Sequence, residues 1–147
     1  MTTTPQSTAA LQVAIQHPEL VPEWLDLDHF ASPTVRRAFE ALLSAATLQD
    51  AMAEATGAAQ ALLRRLAVEE IPSGADLESY ALEVVTSVVE AAARRVEARL
   101  IRAEDVRVSE GARLLEALRT ARDPLDAGAT NRAAEHLVGW IAAAGRE

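Results

Sequence analysis

The residues best suited to chemistry form one short cluster of carboxylates and imidazoles. Asp26, Asp28 and His29 stand in an Asp-x-Asp-His pattern, with His17 and Glu19 nearby in the sequence. Divalent metal ions accept both kinds of ligand. The spacing suits a shared site poorly, because residues two apart on a helix point to different sides. The pattern therefore favours a polar loop that caps the next helix, and a metal-dependent all-α enzyme remains a remote alternative.

Other catalytic patterns are missing from the sequence. The chain has no Cys, no Gly-x-Ser-x-Gly nucleophile motif and no glycine-rich phosphate loop. The remaining histidine, His136, follows Glu135, and such a residue is by default solvated or part of an interface. We therefore predict no catalytic residue, no bound metal and no cofactor.

The charge balance disfavours a domain that binds nucleic acid without a partner protein. The 147 residues include 14 basic side chains, all of them Arg, against 22 acidic ones, for a formal net charge of −8. Nucleic-acid binding normally needs a basic face, because released counterions supply most of the affinity. In the carboxyl half, Arg alternates with Glu and Asp, which favours ion pairs on a solvated surface.

Composition predicts an all-α fold, a bundle of about five to six helices followed by a long helix and a helical hairpin. Ala, Leu, Glu and Arg are strong helix formers, and strand-type alternation is missing. Residues 1–8 are predicted to be a polar tether, either the start of a small protein or the end of an interdomain linker. No segment approaches the ~20 apolar residues that span a bilayer.

Capping residues place the helices of the amino-terminal part. Ser7 and Thr8 are predicted to begin the first helix, and Ser32-Pro33 gives the clearest helix start in the sequence. Thr47 should cap a later helix that Gly57 ends. The buried stripe after Ser32 is predicted to contain Val35, Ala38, Phe39 and Leu42.

A long helix is predicted to follow. Residues 76–122 contain no Pro and a single Gly, Gly111. Apolar residues recur about every 3.5 residues at Leu82, Val85, Val89, Ala92, Val96, Leu100 and Ala103. Beyond Ala103 the stripe loses phase, which predicts a kink or break within residues 106–111.

The carboxyl-terminal part is predicted to be a helical hairpin. Pro124 should end its first arm, and Thr130 should cap a last helix with Leu137, Trp140 and Ile141 on one face. The domain boundaries are therefore 1–8, 9–100 and 101–147. Two helices alone cannot bury a Trp and several Leu, so this face either packs on the bundle or binds a partner.

These elements carry a resemblance. The segments concerned are residues 10–20 (ALQVAIQHPEL), 30–41 (FASPTVRRAFEA) and 66–72 (LAVEEIP), and the long helix with Arg94-Arg95-Val96. They resemble the carboxyl-terminal helicase-binding domain of bacterial replicative DNA primases, in particular the Ala- and Arg-rich actinobacterial type. The similarity extends over residues 11–100. The segment from residue 100 to 123 is longer than in the family, by roughly three helical turns, and the family's basic Lys residues are missing.

The resemblance implies a helical bundle with a helical hairpin, and a function in DNA replication without catalysis. In this family the domain docks on the amino-terminal collar of the hexameric replicative helicase and couples primer synthesis to unwinding. The primase zinc and polymerase domains are not in this chain. We expect a cytoplasmic, monomeric module without strong nucleic-acid binding or membrane contact. By position, the expected helicase-binding residues are Leu118, Arg122, Leu125, Leu137, Trp140 and Ile141.

An alternative from the same class is the collar domain of the helicase itself, or a helicase loader. The collar has a similar fold and a comparable Phe-x-x-Pro element before a helix, which corresponds here to Phe30 and Pro33. The long helix after residue 76 and the loop ending in Ile71-Pro72 favour the primase side. For the primase interpretation, Trp140→Ala or Leu137→Asp is expected to weaken helicase binding with little loss of helicity.

Overall fold

The computed structural model describes residues 5–72, 76–122 and 126–145. These residues are all-helical and contain no strand, which confirms the predicted all-α class. The described α-helices are α1 (Pro5–Gln16), α2 (Pro33–Ser44), α3 (Leu48–Glu54), α4 (Gly57–Val68), α5 (Leu77–Arg102), α6 (Val108–Ala121) and α7 (Ala127–Ala144). Two short 3₁₀ helices, Pro18–Leu20 and Leu27–His29, lie between α1 and α2.

The chain divides into two compact units, and the division lies inside α5. The first unit ends at Val88 and the second begins at Val89. The predicted boundary, after residue 100, lies twelve residues later in the same helix. The apolar stripe of α5 continues to Leu100 without a break, so the pattern gives no sign of the division.

In the first unit, α1, α2 and α4 pack against one another, and α3 packs against α2 and α4. Phe39 is buried on α2, and its ring lies 5.1 Å from that of Phe30 between centroids. Gln12 and Gln16 of α1 reach the end of α4. The Gln12 amide donates to the Glu69 carbonyl (2.8 Å) and the Gln16 amide to the Leu66 carbonyl (2.7 Å). These bonds satisfy carbonyls that a helix end leaves without partners.

The cap predictions hold in part. Ser32 caps α2 and Thr47 caps α3, each accepting a backbone N–H, as predicted. The prediction for Ser7 and Thr8 is wrong, because both lie inside α1, which begins at Pro5. Proline is tolerated in a first helical turn, where its missing N–H would have no partner anyway. Residues 5–8 are thus helical, and residues 1–4 of the predicted tether lie outside the described residues.

Gly57 begins a helix instead of ending one. The chain leaves α3 at Glu54, and Gly57 has φ +59° at the first position of α4. A positive φ favours Gly, since other residues crowd their Cβ there. The conformational freedom of glycine suits both the start and the end of a helix. The presence of Gly57 in the sequence therefore does not show which end of a helix lies there.

In the second unit, the rest of α5 is followed by α6 and α7, which pack against each other as an antiparallel hairpin. The predicted break exists, and it covers residues 103–107, so it begins earlier than the predicted range 106–111 and overlaps its start. α5 ends at Arg102, Glu104 adopts a left-handed conformation with φ +55°, and the Asp105 N–H donates to the Leu100 carbonyl (2.9 Å). Ala103 is exposed, contrary to its predicted place in the buried stripe.

The start of α7 also differs from the prediction. Asp126 caps the helix by accepting the Ala129 N–H (3.0 Å), so Thr130 lies inside it. The Thr130 hydroxyl instead donates to the Ala121 carbonyl of α6 (2.9 Å) and joins the two arms of the hairpin. Residues 123–125, where the turn was predicted, lie outside the described residues.

Two buried threonines offer a matched test of hydrogen bonding. Thr86 on α5 is 0% exposed, and its hydroxyl has no hydrogen-bond partner within the described part of the chain, whereas the Thr130 hydroxyl is bonded. A buried polar group without a partner costs about 1–3 kcal/mol. We expect Thr86→Val to raise the free energy of unfolding by about 1 kcal/mol and Thr130→Val to lower it by about 1 kcal/mol. Urea unfolding followed by circular dichroism measures both, and equal losses would contradict this assignment.

Candidate protein-binding groove on the carboxyl-terminal hairpin

The Asp-x-Asp-His cluster is a local capping structure. Asp26 accepts the Leu27 N–H through its carboxylate (2.7 Å), and the Asp26 N–H donates to His29 Nδ1 (3.0 Å). Asp28 pairs with Arg36 at the start of α2 (3.3 Å). In residues 5–72, 76–122 and 126–145, no group of three or more His, Asp or Glu side chains is placed to hold a metal ion. Asp26 thus caps the 3₁₀ helix Leu27–His29 that contains the cluster, whereas α2, which the cluster was predicted to cap, is capped by Ser32.

The six residues expected to bind a partner do not form an exposed face. Leu118, Leu137, Trp140 and Ile141 are all buried in the second unit. Arg122 is held at the end of α6, where its guanidinium donates to Glu90 of α5 (2.7 Å). Leu125 lies outside the described residues.

Trp140 packs inside the hairpin, against α6. Its indole lies directly over Gly111, so that any Cβ at position 111 would overlap the ring, and its Nε1–H donates to the Arg107 carbonyl (3.1 Å). The side chain is 6% exposed. Because the side chain is buried, Trp140→Ala should lower the stability of the hairpin itself. The expectation that this substitution weakens binding with little loss of helicity does not fit this burial. The sequence signal was Gly111 itself, since a glycine inside a helix usually has a packing reason.

Two arginines satisfy the last carbonyls of α7. Arg99 of α5 donates to the Ala144 carbonyl (2.5 Å), and Arg107 donates to the Ala143 carbonyl (3.3 Å). Helix ends leave such carbonyls without partners, and positive charge is favourable there. Arg107 therefore fixes the carboxyl end of α7 through its side chain and holds Trp140 through its backbone carbonyl.

Asp105 orients Arg107 and gives the hairpin a pH dependence. The side-chain hydrogen bonds of Arg107 and its backbone N–H lower the pKa of Asp105 to about 2. Because the folded pKa lies below the ordinary value, the stabilisation is present above about pH 4 and is lost as the pH falls towards 2. We expect Asp105→Asn to lower the urea midpoint at pH 7, and the gap from the unmutated protein to close between about pH 4 and pH 2. A gap that does not change with pH would contradict this role.

A groove of about 660 Å³ lies between the first half of α6 and the second half of α7. Its lining is apolar at Leu114, Gly139, Trp140 and Ala143. Charged or titratable side chains flank this apolar strip, with Arg107, Glu110 and Arg113 contributed from the α6 side and Glu135 and His136 from the α7 side. Val106, the neighbour of Arg107, is 87% exposed.

No protein-family profile, curated protein or solved structure matches this chain. In the part of the chain that the structure describes, no helix combines the length and the apolarity required to cross a bilayer.

The groove has the composition of a protein-binding surface. An apolar centre with a charged, solvent-accessible rim is the usual anatomy of a protein interface. Its lining contains no hydroxyl or thiol that could serve as a nucleophile. Sequence reasoning missed this groove because it assigned the apolar residues of α7 to the contact face, whereas most of them form the core.

Proposed function

We propose that this chain is a non-catalytic interaction domain that binds the amino-terminal collar of the hexameric replicative DNA helicase, as do the bacterial primase domains that it resembles. The observation that supports the proposal is the α6–α7 hairpin, which has its own buried core and an open groove with an apolar centre. From the resemblance to this family, we expect the helicase contact on a carboxyl-terminal hairpin. In this proposal the first unit corresponds to the family's helical bundle.

The distribution of charge is consistent with docking through the second unit. Residues 1–88 contain 4 Arg against 12 Asp and Glu, whereas residues 89–147 contain 10 of each class. The full net charge of −8 therefore belongs to the first 88 residues. A surface without net charge neither attracts nor repels a charged partner strongly, whereas the acidic first unit would repel an acidic partner. The chain would act in the cytoplasm at the replication fork, tethering primer synthesis to the helicase.

Titration calorimetry of the whole chain into the collar domain of the same bacterium's helicase tests this proposal. We expect saturable binding with a dissociation constant in the range of about 1 μM or below. Sedimentation of the chain alone serves as the control, since a collar domain would assemble into rings by itself. Absence of binding at about 100 μM, or ring formation by the isolated chain, would contradict the proposal.

A further inference from the structure

We propose that this chain forms a domain-swapped dimer, in which the α6–α7 hairpin of one copy packs on α5 of a second copy. The exchange takes place at residues 103–107, which become helical and join α5 to α6. The contacts between the hairpin and residues 89–102 of α5 are kept, but they now connect two chains. The proposal goes beyond helicase binding and does not depend on it, because it uses an interface that the second unit already contains.

The turn after α5 contains a residue that suits it poorly. The Glu104 N–H donates to the Ile101 carbonyl (3.1 Å), and the Asp105 N–H donates to the Leu100 carbonyl (2.9 Å). This pair of bonds is typical of a helix end with a left-handed residue, which is usually Gly. Here the residue is Glu104, with φ +55°. A left-handed conformation is unfavourable for any L-residue with a Cβ, so the folded monomer contains a strained turn.

The sequence of the turn suits a helix better. Residues 103–107 are Ala-Glu-Asp-Val-Arg and include neither Gly nor Pro. Ala, Glu and Arg are strong helix formers. Both flanks of Glu104 are already close to helical, since the Ala103 N–H donates to the Arg99 carbonyl (3.1 Å) and Arg107 has φ −65° and ψ −13°. A change centred on Glu104 therefore makes residues 89–121 one helix of about 50 Å.

Contacts outside the turn hold the hairpin against α5. Glu90 of α5 and Arg122 at the end of α6 form an ion pair (2.7 Å), so α6 runs back along α5 in the opposite direction. Arg99 of α5 donates to the Ala144 carbonyl at the end of α7 (2.5 Å). None of these four residues belongs to the turn. The hairpin of a second copy can therefore make the same contacts, which is why an exchange of identical elements is a low-cost route to a dimer.

Asp105 opposes the exchange. Its carboxylate accepts the Arg107 N–H (2.9 Å), whereas in a continuous helix this N–H donates to the Ala103 carbonyl. The monomer is therefore the form of the dilute chain, and the dimer depends on concentration. A short linker gives an effective local concentration in the mM range, and the dimer relieves two strained turns. We therefore expect the exchange at chain concentrations of about 0.1–1 mM.

Refolding of the whole chain from urea at two concentrations tests the proposal. Sedimentation should show a dimer after refolding at about 1 mM and a monomer after refolding at about 10 μM. The chain has no Cys, so Ala91→Cys on α5 and Thr120→Cys on α6, both at exposed positions, can each carry one spin label. Pulsed electron resonance then measures the distance between the labels.

The distances distinguish a swapped dimer from any other dimer. When chains labelled at position 91 are refolded together with chains labelled at position 120, the swapped dimer should place the two labels within about 25 Å, because packed helix axes lie about 8–10 Å apart. A chain that carries both labels, refolded with an excess of unlabelled chain, should show about 44 Å between them in one continuous helix. The monomer should show the short distance within one chain.

Substitutions in the turn test its role in the exchange. Glu104→Gly fits the left-handed position and weakens a continuous helix, so it should raise the dissociation constant of the dimer at least about 10-fold. Glu104→Ala is the matched control, because Ala keeps both the strain and the helix propensity. It should dimerise at least as strongly as the unmutated chain. Asp105→Ala removes the acceptor of the Arg107 N–H and should lower the dissociation constant at least about 3-fold.

Three results would overturn the proposal. The first is a chain that stays monomeric after refolding at about 1 mM. The second is a dimer without the short distance between chains, because such a dimer uses another surface. The third is an equal dissociation constant for Glu104→Gly and Glu104→Ala, which would show that the turn does not drive the exchange. No helicase is present in these measurements, so their failure leaves the proposed function intact.

Discussion

Replacing Trp140 with Ala should destabilise the α6–α7 hairpin by about 3–5 kcal/mol, the range for truncating a large buried aromatic residue. The indole is almost fully buried, and its removal also leaves the Arg107 carbonyl without the Nε1–H donor. The loss should appear as a lower urea midpoint and lower helicity near the midpoint. A change below about 1 kcal/mol would contradict the packing of Trp140 in the hairpin.

A double-mutant cycle with Gly111 makes this test specific. Gly111→Ala alone should destabilise the protein by about 1–3 kcal/mol or more, because the new Cβ overlaps the indole. In the Trp140→Ala background the same change should be neutral or stabilising, since Ala is the better helix former. Gly139→Ala, which has open space around its Cβ, is the matched control and should stabilise by up to about 1 kcal/mol. Additive effects in the cycle would show that the two positions do not touch.

Phe39→Ala should destabilise the first unit by about 3–5 kcal/mol. Phe39 is buried on α2 and forms a tilted pair with Phe30, so its removal leaves a cavity beside Phe30 in the core of the first unit. Leu43→Ala on the same helix is the control. Leu43 is 60% exposed, and its truncation should change the free energy of unfolding by less than about 0.5 kcal/mol. Similar losses for both variants, measured in urea, would contradict the orientation of α2.

The helix class and several helix starts could be read from the sequence because they depend on local chemistry. The Ser32 and Thr47 hydroxyls accept N–H groups of the first helical turn, and this local pattern can be recognised without knowledge of the fold. The break after α5 was also foreseen, through the loss of phase in the apolar stripe. Its position was not foreseen, because it depends on Glu104 adopting a positive φ and on the Asp105–Leu100 bond.

The long-range features could not be predicted, since they join residues distant in sequence. The Gln12 bond to Glu69 spans 57 positions, and the Arg99 bond to Ala144 spans 45. The same limitation affected the candidate site. An apolar stripe on α7 is compatible with a core face or a binding face. The stripe is a core face because Trp140 packs over Gly111 of α6, and the sequence of α7 alone does not contain this information.

Photo-crosslinking tests the docking of the α6–α7 hairpin on the helicase collar most directly. A benzoylphenylalanine placed at Ala143, which is exposed and lines the groove, should crosslink the full chain to the collar domain. The same group at Ala117, exposed on α6 and outside the groove lining, is the control. We expect a crosslink to the collar domain from position 143, mapped by mass spectrometry, and none from position 117. Crosslinking from position 117 alone, or only between two copies of the chain, would contradict it.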